Sequence, residues 1–259
     1  NDYYAGLALS KASSFQSGKP FRYAVFDDFL PSKIARKISR SYPVADMKKP
    51  GWKFHNNKNT KRYFLEDTSL FDPDLKAFSA GLCSRSFLLF LETLTGIKSL
   101  QADPYFLGGG AMATGTGGFL NSHVDYNYNQ KIQSWRRLNF LIYLTENWEE
   151  KWEGNLQLLS ENGVDVIKEI VPLFNRAVVF ETNSKSFHGQ SGPLKCPENT
   201  YRTVFSAFYH ANEKPSDTYD YAHYTYYNKT DKPEKASMDT SPYAELITNN
   251  YLKKACQNK

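Results

Sequence analysis

The chain has 259 residues, of which 41% are hydrophobic and 15% aromatic, and its formal net charge is +5 at pH 7. This composition excludes a disordered chain and suits one large domain or two small ones. The sequence contains no long basic run, and no apolar stretch approaches the roughly 20 residues of a membrane span, so it indicates neither a nucleic-acid partner nor a membrane partner.

The N-terminal part of the chain predicts one strand and one short helix after a loose start. Residues 1–20 are polar and rich in Ser and Lys, which is typical of a loose arm. Residues 23–26 are expected to form a strand. A helix is expected over residues 31–40, with Ile34 and Ile38 one turn apart on its buried face.

A second helical region has clearer end signals. Asp72 is a favourable N-cap residue, Pro73 suits the first helical position, and Gly96 is placed to end the helix. The apolar spacing loses its helical phase around residues 84–86, so one long helix and two consecutive helices remain alternatives. An amphipathic region of this kind is expected to cover one face of a sheet.

From about residue 100 the pattern changes to short apolar runs separated by Gly, Asn and Pro. Such a pattern predicts a β-sandwich or barrel after the helices, and therefore an α+β fold. The expected strands lie near residues 103–113, 119–124, 138–145, 154–160, 164–171, 176–181 and 201–210. We expect a single domain over residues 1–259, with a β-core at 100–212 and a Tyr-rich tail at 213–259 that wraps the core.

The three cysteines give no sign of a metal site or of a disulfide. Cys83, Cys196 and Cys256 are odd in number, far apart and in no metal-ligand spacing. They indicate free thiols in a reducing compartment, so we expect a cytoplasmic protein.

His123 and Asp125 are the first residues in the chain that suggest specific chemistry. Residues two apart in a strand point to the same face, so this pair can hold one metal ion together. His188, just after a predicted strand, is the best third ligand. Two His and one carboxylate leave three positions open on the metal, the arrangement used by iron(II) oxygenases. Zinc in a hydrolase can use the same residue types, but no carboxylate near the motif is placed as its general base.

Arg202 and Tyr143 are candidates for holding an anionic co-substrate near such a metal. A guanidinium inside a β-core requires an anion, because an unpaired buried charge is costly. The distal carboxylate of 2-oxoglutarate is such an anion. Period-two geometry places Asn139 and Tyr143 on one face of a strand, where Tyr143 can share the carboxylate and Asn139 can reach the metal-bound end. An ordinary packing role for Tyr143 remains an alternative.

The same residues carry a resemblance to a known family. The sequence resembles the 2-oxoglutarate/Fe(II)-dependent dioxygenase superfamily, in its prolyl-4-hydroxylase-like branch. The matching segments follow one another in the expected order and spacing. They are residues 108–110, 119–127, 136–144, 148, 154–158, 172–180, 186–189 and 202, with weaker similarity at 26–31 and 94–97.

The resemblance implies a double-stranded β-helix, or jelly-roll, with the N-terminal helices packed on one sheet. It implies Fe(II) held by His123, Asp125 and His188 as the catalytic centre, and 2-oxoglutarate held by Arg202 and Tyr143. The expected reaction consumes O2, with ascorbate as a candidate reductant, and releases succinate and CO2 while a C–H bond is hydroxylated.

Two positions qualify what the resemblance implies. Val204 stands two residues after Arg202, where the family has a Ser, so a hydroxyl partner for the co-substrate must come from Tyr143 or elsewhere. The carboxylate of Asp125 is retained, which favours hydroxylation over the halogenation of relatives that carry a small residue there.

The sequence leaves the substrate open. A small molecule or biosynthetic intermediate is the first expectation, and a prolyl or other peptidyl substrate is the second. A non-catalytic jelly-roll binding module is a third reading, which retention of all three ligands and of the Arg disfavours. Contacts with the substrate are expected from residues near the predicted mouth of the core: Tyr126, Asn127, Trp135 and Arg137.

Overall fold

The structure is a computed structural model that describes residues 2–43, 51–227, 233–236 and 238. Cys256 and the end of the tail lie outside the described residues. The helices in the described part are α1 (Asp2–Gln16), α2 (Ser32–Arg40), α3 (Pro73–Leu82) and α4 (Arg85–Thr95). Cys83 and Cys196 are both free, as the sequence predicts.

The N-terminal segment is a helix, and the prediction of a loose arm over residues 1–20 is wrong. Helix α1 packs along α4, and Ala8 and Phe15 of α1 are completely buried. Polar residues dominate the composition of this segment, but its few apolar side chains suffice to bury one side of the helix. Tertiary packing therefore stabilises a helix that its composition does not predict.

Helices α3 and α4 are two separate helices, the second of the two alternatives that the sequence left open. The side chain of Asp72 accepts a hydrogen bond from the backbone N–H of Asp74, and Ser84 caps α4 in the same way through the N–H of Phe87. Gly96 ends α4 in the left-handed conformation, with φ of 77°. In the described residues no single helix is long and apolar enough to cross a membrane. Helices α3 and α4 have sufficient length and apolar composition only when they are counted together, and they are bent by 49° relative to each other.

Helix α2 begins and ends close to the predicted residues but presents a different face. Ile38 is buried as expected, whereas Ile34 is 45% exposed and Ala35 takes its place in the core. The helix is therefore rotated about its axis relative to the sequence-based expectation.

The strands form two antiparallel sheets. In chain order, those of the described residues are β1 (Tyr23–Phe26), β2 (Lys53–Asn56), β3 (Thr60–Leu65), β4 (Gln101–Ala102), β5 (Gly110–Thr114), β6 (Phe119–Leu120), β7 (Tyr128–Asn129), β8 (Ser134–Tyr143), β9 (Leu156–Leu159), β10 (Val166–Ile170), β11 (Ala177–Glu181), β12 (His188–Gln190) and β13 (Arg202–Ala211). The major sheet has the order β1-β11-β8-β13-β5-β3-β2, with β4, β6 and β7 paired at its margins, and the minor sheet has the order β10-β9-β12. The predicted α+β architecture is confirmed.

The strand predictions miss some strands and overextend others. The β2–β3 hairpin was not predicted, because β2 is fully exposed and has no buried apolar face. The predicted strand over residues 103–113 begins only at Gly110, since the Asp103 carboxylate accepts hydrogen bonds from two backbone N–H groups and forms a turn there. The strand predicted over residues 119–124 ends at Leu120.

The long central strands separate the hydrophobic core from the site. On β8, Leu138, Phe140 and Ile142 pack against the helices, while the alternate residues face the minor sheet. Strand β13 alternates in the same way. One face of the major sheet is thus purely apolar, and the other carries polar side chains into the space between the two sheets.

A β-bulge interrupts this alternation at Arg137. Leu138 pairs with Tyr209 and Arg136 pairs with His210, so the residue between them has no partner across the strands. A bulge shifts the facing of the residues that precede it. Arg136 therefore lies on the inner face together with Asn139. Strict period-two spacing would place Arg137 on that face instead.

Candidate active site

Three predicted ligands, His123, Asp125 and His188, come together between the two sheets. Their ligand atoms all lie within 4.8 Å of one another. Nε2 of His123 is 3.5 Å from Oδ1 of Asp125, and Nε2 of His188 is 3.3 Å from Oδ2. The two His residues face each other because each backbone N–H donates to the carbonyl of the other, at 2.9 Å. The strand predicted over residues 119–124 ends before His123. An isolated antiparallel bridge between His123 and His188 replaces regular strand pairing there.

Both imidazole rings are oriented by their second nitrogen. Nδ1 of His123 lies 2.9 Å from the carbonyl oxygen of Asn121, and Nδ1 of His188 lies 3.0 Å from that of Ser186. A carbonyl oxygen only accepts, so Nδ1 of each neutral ring carries the proton. This leaves both Nε2 lone pairs directed towards Asp125, which is the tautomer that a metal ion requires.

Asp125 is held by a buried guanidinium and an amide. Nη2 of Arg136 and Nδ2 of Asn139 each donate to Oδ2 of Asp125 at 2.9 Å. Arg136 also donates to Oδ1 of Asn139 and lies 3.4 Å above the centroid of the Phe208 ring. Burial alone would raise the pKa of Asp125, but the guanidinium of Arg136 holds it well below its usual range. The carboxylate is therefore ionised and fixed in one orientation.

The charge state of the triad suits a divalent cation. Burial, and to a smaller degree the neighbouring His188, lower the pKa of His123. Metal ligation needs neutral imidazole and ionised carboxylate. The donor set present here, two nitrogens and one oxygen carrying a single negative charge, fits iron(II) with positions left for other ligands.

Arg202 lies in the same cavity and has an incomplete set of partners. It is 7% exposed, its Nη2 donates to Oη of Tyr143 at 3.4 Å, and its Nε has no hydrogen-bond partner. Within the described ranges no carboxylate lies within 4.0 Å of its guanidinium, and burial lowers its pKa. A buried, unneutralised guanidinium of this kind fits an anion supplied from outside the chain.

Gly154 allows this arginine to reach its position. The residue has φ of +87°, and a Cβ there would lie 2.9 Å from Cδ of Arg202 and 2.8 Å from Cδ2 of Leu194. A glycine is thus required at position 154 both by the backbone conformation and by the close approach of the arginine.

The cavity that joins the triad to Arg202 has mostly apolar walls from both sheets. Those walls limit the access of water and strengthen polar interactions within the cavity. The lining side chains include Met112, Thr114, Leu120, Leu141, Leu156, Phe180, Val204 and Ser206. Thr114 pairs with Arg202 across β5 and β13 and offers a hydroxyl that the sequence analysis did not single out.

Most of the residues expected to contact substrate lie elsewhere. Arg137 is directed out of the cavity, where its Nη1 donates to the backbone carbonyl of Glu213 at 3.0 Å, because the β-bulge removes it from the inner face. Asn127 is buried and bonds to the backbone of Tyr221 and His223, so its role is to fasten the tail. These two substrate contacts are corrected by the structure.

The other two expected contacts differ from each other. Trp135 packs edge-on against Tyr128, with ring centroids 5.1 Å apart. It lines neither the cavity nor an adjacent cleft whose walls include Tyr126, Tyr128 and Lys131. Tyr126 lines the cleft beside the cavity, and its ring lies 4.6 Å from Cζ of Arg136. Of the four predicted contacts, Tyr126 is therefore the one that the structure leaves facing open space.

Besides Thr114, three further residues at the site have no sequence signal that points to their role. Arg136 was missed because a bulge cannot be recognised from period-two spacing. Arg62 lies on β3, next to the exposed strand β2, and this hairpin has no strand signal in the sequence. Tyr227 belongs to the Tyr-rich tail, and its ring lies 5.5 Å from that of His123. The described part of the tail is tied to the triad through Tyr226, whose backbone pairs with that of Val124.

Comparison with known proteins shows which family this fold and site resemble. Residues 109–210 match the model of the 2OG-Fe(II) oxygenase superfamily. This segment contains the triad, Tyr143 and Arg202. The resemblance inferred from the sequence is therefore confirmed over this segment of the chain.

Several of the similar proteins are prolyl hydroxylases. A segment of 79 residues is 30% identical to prolyl 3-hydroxylase OGFOD1 of Mus musculus, covering 29% of this chain and 14% of that protein. The solved Pseudomonas putida prolyl-4-hydroxylase superposes with a TM-score of 0.57 at 13% identity, covering 80% of this chain and all of that one. A Trichoplax adhaerens prolyl hydroxylase in complex with a hypoxia-inducible-factor peptide fragment gives a TM-score of 0.56 at 16% identity, covering 81% and 91%.

These similarities establish the fold. The predicted double-stranded β-helix with helices packed on one sheet is confirmed. The matched segment spans about a seventh of the curated relative's length.

Proposed function

We propose that the protein is an iron(II)- and 2-oxoglutarate-dependent dioxygenase that hydroxylates a C–H bond of an organic substrate. One observation carries this proposal: a His–Asp–His triad and a buried arginine with no carboxylate partner in the described chain share one cavity. Decarboxylation of 2-oxoglutarate to succinate and CO2 would accompany the hydroxylation.

In this proposal each side chain has a distinct task. His123, Asp125 and His188 hold the iron, which when bound supplies activation of O2. Arg202 binds the distal carboxylate of 2-oxoglutarate in fork fashion. Burial raises the pKa of Tyr143, so its hydroxyl stays protonated and can donate to the same carboxylate. Arg136 and Asn139 do not touch the metal in this scheme; they keep Asp125 ionised and oriented.

The first test is binding, measured separately from turnover. Titration with Mn(II), followed by electron paramagnetic resonance, should show one tight site in the wild type and none in Asp125→Ala. Calorimetry with 2-oxoglutarate on the Mn(II)-loaded protein should show one site, weakened at least ~30-fold in Arg202→Gln, since a buried charge pair loses its partner.

A matched control uses an arginine outside the site. Arg36 of α2 is half exposed and pairs with Glu146 on the surface, so Arg36→Gln should bind both ligands as the wild type does. Binding of 2-oxoglutarate unchanged by Arg202→Gln would remove this arginine from the co-substrate site. Turnover undiminished in Asp125→Ala would remove that residue from the ligand set.

Retention of Asp125 supports hydroxylation as the outcome, because the carboxylate fills the metal position that a halogenase leaves free. A small molecule is the first substrate class we propose. A peptide is the alternative, and a specific observation favours it: the Trichoplax adhaerens relative of similar fold was solved with a peptide fragment. A screen for succinate release with amino acids, sugars and peptides decides between them, since only the true class stimulates turnover.

A further inference from the structure

A second unpaired arginine lines the same cavity. Arg62 of β3 is half-buried, and its Nε is buried without a hydrogen-bond partner in the part of the chain that the structure describes. The sulfur of Met112, 3.3 Å from Nη1, is the one hydrogen-bond acceptor that Arg62 has in the described part of the chain. No described carboxylate lies within 4.0 Å of its nitrogens.

The fold itself gives this guanidinium no counter-charge. A thioether is a weak acceptor, and taking a guanidinium out of water without an anion is costly. Other arginines of the molecule are treated differently: Arg22 meets Glu181 at 2.9 Å and Arg136 meets Asp125 at 2.9 Å. Burial lowers the pKa of Arg62, while Tyr227 and Asp125 oppose that shift. Arg62 therefore resembles Arg202: in the described chain each has a buried Nε without a partner and no carboxylate within 4.0 Å.

The charges around the cavity leave a surplus of positive charge. Arg136 neutralises Asp125, the one carboxylate in the cavity lining. In the proposed loaded state, a divalent cation and a doubly charged 2-oxoglutarate neutralise each other. The charges of Arg202 and Arg62 then remain, so a further anion would be attracted to the cavity.

Arg62 also faces a second, larger space. It lies on the boundary between the site cavity and an adjacent cleft of ≈ 490 Å³. The cleft walls are aromatic and basic, with Tyr126, Tyr128, Tyr224 and Lys131 among them. Its one acidic wall residue, Glu66, already accepts from Lys53 at 3.0 Å and from the N–H of Gly108 at 2.7 Å. The cleft thus offers flat apolar surface and positive charge next to the triad.

We propose that this cleft binds the substrate and that Arg62 binds a carboxylate of that substrate at the edge of the site. The inference rests on the proposed function and extends it by naming the substrate class: an organic carboxylic acid, presented either by a small molecule or by a peptide. Arg62 selects this acid, while Arg202 holds the co-substrate.

The test compares acids with their own amides on protein loaded with Mn(II) and 2-oxoglutarate. The probes are N-acetyl-tyrosine, N-acetyl-proline and N-acetyl-leucine, and tripeptides ending in the same residues, each as free acid and as carboxamide. Calorimetric titration should show at least one acid binding the wild type ~10-fold more tightly than its amide, as a charge-assisted hydrogen bond provides. The single residues and the tripeptides separate the two sources of the carboxylate.

The variants Arg62→Gln and Arg62→Lys identify the group responsible. Arg62→Gln should abolish the preference for the acid, and Arg62→Lys should retain part of it, while Arg36→Gln should keep it whole. The affinity for 2-oxoglutarate should stay within twofold of the wild type in Arg62→Gln. Thermal unfolding of each variant shows that the loss does not come from misfolding.

Three outcomes would overturn the inference. Acids binding no better than amides would remove the carboxylate site. A loss of 2-oxoglutarate affinity in Arg62→Gln, as in Arg202→Gln, would assign Arg62 to the co-substrate. In both cases the proposed function would stand, whereas a wild type that binds neither Mn(II) nor 2-oxoglutarate would end both proposals.

Discussion

Single side chains in the site act through one another, and Asp125 shows this most clearly. Its Oδ2 accepts from Arg136 and Asn139, so its orientation does not depend on a metal ion. Groups of this kind behind a ligand commonly change metal affinity by ~10–100-fold when they are removed. The carboxylate and its two supports form one unit.

We expect Arg136→Gln to weaken Mn(II) binding by ~10–100-fold, because Asp125 loses its ionic partner while its own oxygens remain. The measurement is Mn(II) titration by electron paramagnetic resonance. Arg36→Gln serves as the control for loss of one positive charge. An affinity equal to that of the wild type would show that Asn139 alone suffices to position Asp125.

Tyr143 gives a milder and more specific prediction. Tyr143→Phe keeps the buried ring that lies 4.8 Å from Cζ of Arg202 and removes only the hydroxyl. We expect the dissociation constant of 2-oxoglutarate to rise ~3–10-fold, as for loss of one hydrogen bond, with Mn(II) binding unchanged. Calorimetry measures both constants, and an unchanged 2-oxoglutarate affinity would leave Tyr143 as a packing residue.

At the scale of elements, the sequence predicts those that have local signals. Helices α3 and α4 were foreseen because Asp72, Pro73 and Gly96 mark their ends. Helix α1 was not, because it has no such signals and depends on contacts with α4 far along the chain. The bulge at Arg137 was also hidden, since it is defined by the register between β8 and β13. Helix end signals lie within one segment of the sequence. The register between two strands and the packing of one helix on another depend on two distant segments.

Helix α1 is expected to contribute to the stability of the whole domain. Phe15→Ala removes a completely buried ring and should lower the free energy of unfolding by about 3 kcal/mol or more. Leu9→Ala on the same helix is the matched control, because Leu9 is 67% exposed and should cost less than about 0.5 kcal/mol. Denaturant unfolding measures both, and equal small effects would mean that α1 is not part of the cooperative unit.

At the scale of the whole molecule, stability depends on pH through a histidine outside the triad. Burial, assisted by Arg136, lowers the pKa of His210 to about 3, and neither ring nitrogen has a hydrogen-bond partner among the described residues. The unfolded chain binds a proton near pH 6.5, whereas the folded chain does not until about pH 3. Stability is therefore lost as the pH falls through 6.5 and continues to fall towards 3.

We expect this one residue to cost about 1.4 kcal/mol of unfolding free energy between pH 7.5 and pH 5.5. The comparison is denaturant unfolding of the metal-free wild type and of His210→Leu at both pH values. The variant should show a pH dependence that is smaller by that amount. If the unfolding free energies of the two proteins changed equally with pH, the proton uptake would belong to another group.

The candidate site could be predicted from the sequence more completely than its surroundings. His123, Asp125, His188, Tyr143 and Arg202 were named from spacing and residue chemistry, and the structure brings all five into one cavity or against its wall. Arg62 and Tyr227 could not be named in the same way. They enter the site from an exposed hairpin and from the tail, and only the three-dimensional fold brings these segments beside the triad.

The backbone pairing of Val124 with Tyr226 has a consequence for how the site forms during protein synthesis. The segment between His123 and Asp125 gains its hydrogen-bond partners, 2.9 Å and 3.1 Å long, from a residue made about one hundred positions later. During synthesis, which proceeds from the N-terminus, these contacts can therefore close only after Tyr226 has left the ribosome. Iron would thus be acquired only after Tyr226 has been made, and until then its loading would compete with other groups that bind exposed imidazoles.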